Sequence, residues 1–237
     1  MSRITYTSDK KIRTIVAVGV FSALAYVACL VFHFRASFLT FDLKDAVMTI
    51  GAMLFGPVYG LAMSLIVSLL EMITVSTTGI YGFIMNVLSS VSFVCAGSLI
   101  YTRRRTMKGA LAGMAVSVAA MTAVMMLANL VITPYYMGAT AGDVAKMIPT
   151  LLLPFNLTKA VFNAALVFIL YKPISAALRR AGFISVSTAA GAGGMTAVPT
   201  QTGKAKGLGI TVTVALIVAA AALAYFFLAL HGSVSFG

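Results

Sequence analysis

In the stretch PFNLTKAVFNAALVFILYKPI (154–174), Asn156, Lys159 and Asn163 interrupt a run that is otherwise apolar. Their spacing, i, i+3, i+7, puts all three on one face of a helix. An amide both donates and accepts hydrogen bonds, and an ammonium offers a cation to a carbonyl oxygen. Such a stripe suits polar contact with a ligand held among apolar walls. A lysine near a helix end can instead extend its ammonium to the membrane interface. Two asparagines on the same face favour an inward polar patch. Asn129, near the end of another apolar run, is a second polar group that needs a partner in a membrane. Asn86 in YGFIMNVLSS reads either as a further site group or as an interhelical hydrogen bond.

Catalytic chemistry finds little to work with. Glu71 is the sole glutamate, and His33 and His231 stand far apart near span ends, so neither catalytic residues nor metal ligands are expected. Cys29 and Cys95 both lie inside apolar segments and read as packing residues. Gly203-Lys204 lacks the rest of a phosphate loop, with Val198 and Ala205 at key positions. NLT at 156–158 matches a glycosylation sequon but sits at the start of an apolar helix.

The elements that hold these residues are membrane helices. The chain of 237 residues is 61% hydrophobic and 9% charged, where soluble domains average about 25% charged. No alternation of the kind a β-barrel needs is present, so the class is an all-α polytopic membrane protein. Apolar spans are expected at 14–32, 46–55, 58–75, 80–101, 110–132, 155–178 and 208–230. Gly56-Pro57 splits the second from the third. The segment TPYYMGATAGDVAKMIP reads as a polar loop carrying aromatic residues, and a Gly/Ala/Ser/Thr stretch at 182–206 reads as a flexible linker. The division is therefore a six-helix domain at 1–181, the linker at 182–206, and an additional C-terminal transmembrane helix with its tail at 207–237.

The net charge of +12 does not point to nucleic acid, because the cations cluster at the ends of apolar runs. With the second and third helices counted separately, thirteen Lys and Arg fall on one side and three on the other. The positive-inside rule then makes the N-terminus cytoplasmic, and the C-terminus extracellular if the seventh helix spans. Asp42, Asp45, Glu71 and Asp143 gather at the outer end, with Phe38, Phe41, Tyr135 and Tyr136. On the first helix, Gly19-xxx-Ala23 forms a small-residue face for a partner helix or for packing within the chain.

The stretches FDLKDAVMTIGAMLFGPVYG, TGIYGFIMNVLSSVSFVCAGSLIYTRRRTMKGALAG, NLVITPYYMG and PFNLTKAVFNAALVFILYKPI resemble the S components of energy-coupling factor (ECF) transporters, nearest to the riboflavin-type branch. The resemblance implies a six-helix S-component core in the bacterial cell membrane, binding a vitamin with high affinity near the outer face. It implies riboflavin as a transported ligand and not a cofactor, with a T component and two ATPase subunits as partners. Asn129, Asn156 and Lys159 would meet the isoalloxazine edge, with Asn86 as a further contact. The loop of Phe41, Leu43 and Asp45 would cover the ligand, and Gly19 and Ala23 would face the T component. The chain departs from the riboflavin-type pattern at Asp42-Leu43-Lys44-Asp45-Ala46-Val47, where a Ser and a Pro are missing, and at Val67-Ser68, where a basic-polar pair is missing. An S component for a different vitamin or precursor is the alternative, and a membrane scaffold without a ligand is the alternative of another class.

Overall fold

The computed structural model describes residues 5–32, 34–181, 205–230 and 233–234. It is a helical bundle: α1 (Thr5–Val31), a short hairpin of β1 (Phe34–Ala36) and β2 (Leu39–Phe41), then α2 (Lys44–Phe55), α3 (Pro57–Thr74), α4 (Gly79–Arg103) and α5 (Met107–Met137). A short α6 (Ala141–Met147) passes through one π-type turn, Ile148–Leu152, into α7 (Leu153–Arg180). The last helix is α8 (Ala205–Leu228), followed by β3 (Ser233–Val234), which pairs with β1. The expected linker therefore lies outside the described residues except for its final two positions, as do both histidines.

Among the described residues, six helical segments are long and apolar enough to cross a membrane. The twelve residues of α2 reach only about 18 Å, so this helix is buried along its whole length instead of spanning by itself. Gly56, at φ +116°, takes a backbone that a β-carbon would strain. Pro57 then opens α3, where its missing N–H costs nothing. The turn sends α3 back beside α2, so Glu71 near the end of α3 meets Lys44 at the start of α2. The separation of these two helices expected at Gly56-Pro57 is the one found.

Packing follows residue size. Along α1, Ala17, Phe21, Ala25 and Cys29 point inward, while Ile15, Val20, Leu24 and Val27 are exposed. An exposed apolar face on a long helix is what lipid surroundings accept. Met48, Met63, Met121 and Met125 fill the centre, where a flexible thioether suits irregular gaps. The backbones of α4 and α5 approach at Gly97 and Gly113, close enough that a β-carbon on Gly113 would lie 2.8 Å from the Gly97 carbonyl oxygen. Such small-residue contacts are how membrane helices come together without a hydrophobic drive from water.

Several boundaries differ from the sequence reading, with α1 beginning at Thr5 and not at 14. The segment expected as a polar loop after Ile132 is helical: α5 carries on through Pro134 to Met137 and closes at Gly138, φ +64°. Thr133 donates to Asn129 Oδ1 and Asn129 donates to the Met125 carbonyl, so side chains tie the final turns together where proline removes a backbone donor. A capping box of Thr140 and Asp143 then starts α6, a signal that polar composition obscured.

Gly113→Leu is expected to lower stability by about 1–3 kcal/mol through overpacking, read as a lower thermal midpoint in detergent. Gly19→Leu, at a position with nothing within 4 Å of the added carbon, should leave that midpoint unchanged.

Candidate functional site

The polar stripe on α7 faces inward. Asn156, Lys159 and Asn163 are all buried, with Lys159 only 4% exposed, so the lysine does not reach for the interface. Its ammonium donates to Asp42 Oδ2 at 2.9 Å and to the Thr40 carbonyl at 3.2 Å. One turn deeper, Asn163 donates to the Asp42 carbonyl at 3.0 Å and accepts from the Ala46 N–H at 2.9 Å. Ala46 carries one of the amides that a helix start leaves without an intrahelical acceptor. Leu43 precedes α2 without a side-chain cap, and Asn163 supplies that acceptor from another helix.

A second lysine completes the cluster. Lys44 donates to both Glu71 oxygens, at 2.7 and 2.6 Å, and lies 3.4 Å from Asp42 Oδ2. Glu71 also accepts from Cys29 at 2.7 Å and from Asn86 at 2.8 Å. Asp45 accepts from Ser90 at 2.6 Å. Burial alone would raise the pKa of Asp42, but Lys159 and then Lys44 outweigh it and hold this loop carboxylate below its ordinary range. Cys29, Asp42 and Glu71 bring ligand atoms within 4.8 Å of one another, a grouping suggestive of a metal site. The Lys44 ammonium already bonds that group, so an internal cation balances it.

Beside this cluster opens a cavity of about 170 Å³ between the 37–40 turn, the 75–78 connection and the facing ends of α3, α4, α5 and α7. Thr40, Lys44, Glu71, Asn86, Asn156 and Lys159 supply its polar wall, and Met85, Met125 and Phe155 its apolar one. Phe38 and Tyr136 also line it, with ring centroids 6.2 Å apart. Tyr81 packs on Tyr136 and lies parallel to Tyr135, extending the aromatic group along that rim.

Of the residues singled out from sequence, Asn86, Asn156 and Lys159 line this cavity. Asn129 is fully buried and bonded within α5, between Met125 and Thr133. Phe41 packs among Phe155, Phe162 and Phe226. Leu43 sits half-buried ahead of α2, and Asp45 points to Ser90. These four residues do not line the cavity. Lys44 and Glu71 do, although the sequence offered them only as charges near the loop end. Cys29, read as a packing residue, is also a hydrogen-bond donor to Glu71.

Among the described residues, six helical segments apolar and long enough to span a bilayer, with a partly polar cavity at one end of the bundle, define a multi-pass membrane protein that can hold a small molecule. The chain belongs to the family of ECF transporter substrate-specific components, whose match extends over residues 13–171. It is a substrate-binding transport subunit and not a catalyst, and the molecule it holds is cargo instead of a cofactor. It is 25% identical over 177 residues to the riboflavin transporter RibU of Staphylococcus aureus (strain TCH60), covering 71% of this chain and 93% of that one. It is 27% identical over 178 residues to the riboflavin transporter FmnP of Bacillus subtilis (strain 168), covering 69% and 94%. A solved structure of the S component of a bacterial ECF transporter superposes with a TM-score of 0.62 at 24% identity, over 72% of this chain and 99% of its own. That likeness is one of fold.

Lys159→Met leaves the buried Asp42 with only the longer Lys44 contact, and is expected to destabilise by about 3–5 kcal/mol. Adding Asp42→Asn should recover part of the loss. Unfolding midpoints of the two single variants and the double variant in detergent check this coupling.

Proposed function

We propose that the chain is the substrate-binding subunit of an ATP-driven importer and that its cargo is riboflavin. The observation that carries this reading is the cavity lining, where Asn86, Asn156 and Lys159 share one cavity with apolar and aromatic side chains. A flavin ring has carbonyl and imide groups along one edge and a flat apolar face. Amides and an ammonium match that edge, and rings such as Phe38 and Tyr136 match that face. The similarity to two riboflavin transporters supports the same cargo.

A different vitamin or precursor is the second reading. It is favoured by Lys44, whose ammonium reaches the cavity while bound to Glu71. A binding screen of vitamins by titration calorimetry separates the two.

The basic end of the bundle, with Arg103–Arg105, Lys108, Arg179 and Arg180, belongs in the cytoplasm by the positive-inside rule. The cavity then opens toward the outer face of a bacterial cell membrane. Residues 1–181 form the substrate-binding domain, and the C-terminal helix and tail are an addition to it. Energy comes from partners, a T component and two ATPase subunits. Gly19 and Ala23 are both exposed on α1, among apolar neighbours. That exposure favours a partner helix over packing within the chain.

Asn156→Ala and Lys159→Ala are each expected to weaken riboflavin binding by about 1–3 kcal/mol, the scale of a lost buried hydrogen bond. Calorimetry on the purified chain checks this, and unchanged affinity in both variants contradicts the assignment. Gly19→Leu should leave that affinity intact and abolish uptake by cells carrying the full transporter. Uptake at the unaltered rate would remove Gly19 from the coupling surface.

A further inference from the structure

Helix α8 lies outside residues 13–171, the stretch that carries the family match. It nevertheless packs into the bundle. Ala215, Ala219, Ala222 and Phe226 follow one another along a single face, and all four are buried in the same apolar cluster as Phe155, Phe162 and Ala165 of α7. The C-terminal end of α8 meets the N-terminal end of α7, with the Phe155 and Phe226 rings 6.2 Å apart, so the two helices run antiparallel. This brings the last turn of α8 to the cavity end.

There α8 touches the loop that walls the cavity. Phe226 is fully buried, and its ring lies 4.6 Å from that of Phe41, closer than Phe162 at 5.1 Å or Phe155 at 6.2 Å. Phe41 stands between two anchored neighbours. Thr40 lines the cavity and accepts from Lys159 through its carbonyl, while Asp42 accepts from Lys159 through its carboxylate. The chain beyond α8 makes a second contact, where β3 pairs with β1 through Phe34 opposite Val234 and Arg35 opposite Ser233. The loop is thus held by charge on its inner side and by the C-terminal segment on its apolar side.

We propose that α8 is a built-in brace for the binding loop, with Phe226 the positioning residue that sets Phe41 and so the Thr40–Asp42 wall. A short hairpin opens locally at low cost unless apolar contacts hold it, and the Phe226 ring makes the shortest ring contact with Phe41 at its end. The consequence is slower opening of the loop and longer retention of cargo. The functional part rests on the cavity being the binding site. The brace itself is testable on the ligand-free chain, so its failure is distinguishable from failure of the riboflavin reading.

Amide hydrogen exchange of the full chain in detergent, followed by mass spectrometry, reads the brace directly. Phe226→Ala should speed exchange across 39–46 at least tenfold while 57–103 stays as in the parent. Phe226→Leu, which keeps an apolar side chain there, should restore most of the protection. Leu228→Ala, at a 79% exposed position of the same helix, should change nothing. If Phe226→Ala fails to fold, Leu230→Ala in the same cluster decides, with faster exchange at 39–46 expected. Unchanged exchange at 39–46 in the folded variants, or equal acceleration through 57–103, overturns the proposal.

Discussion

One carboxylate organises the binding end of this protein. Asp42 lies fully buried between Lys159 at 2.9 Å and Lys44 at 3.4 Å, and both lysines reach the same oxygen. Charges removed from water are costly unless paired with good geometry, and breaking one pair strands the other members. The arrangement therefore constrains position more than it adds stability. Because Lys159 belongs to α7, Lys44 to α2 and Glu71 to α3, the three ion pairs fix three helices and one loop relative to each other. Asn163 adds an amide that supports the first turn of α2 from α7. Part of this same network lines the cavity, so the groups that face it also hold the helices together.

That sharing carries a consequence for how cargo is held. Lys159 lines the cavity while already bonding Asp42 and Thr40, and Glu71 lines it while accepting from three residues. Groups fixed in this way lose little freedom when a ligand arrives, which is the benefit of preorganisation. The apolar part of the lining is different in kind. Phe38, Tyr136, Met85 and Met125 offer apolar surface, and the thioethers adapt in shape. Fixed polar groups beside adaptable apolar ones agree with the proposed cargo, a flat molecule with one polar edge.

The helices and the inward stripe were legible in the sequence because their signals are local. Three polar residues at i, i+3, i+7 share one face of a helix, and Gly56-Pro57 marks a helix boundary by its residue types. The partner of Lys159 was not legible, since Asp42 lies 117 positions away and no local spacing connects them. Lys44 and Glu71 are 27 positions apart on different helices, and their pairing follows from the Gly56 turn that folds α3 back on α2. Phe41 and Asp45 stand out in the sequence by their place in the loop, whereas the structure turns one toward α7 and α8 and the other toward Ser90. The helical end of α5 was hidden because Pro134 usually stops a helix, and only the Asn129 and Thr133 side chains show how the turn is kept.

Under the proposed function, the Asp42–Lys159 network lines a site for a flat, polar-edged vitamin. A structure of the chain solved with riboflavin tests it most directly. The flavin is expected in the cavity beside Phe38 and Tyr136, its carbonyl and imide edge within hydrogen-bond reach of Asn156 and Lys159, and the Lys159–Asp42 pair intact. A flavin seated elsewhere, or one whose apolar dimethyl edge faces Lys159, would contradict it.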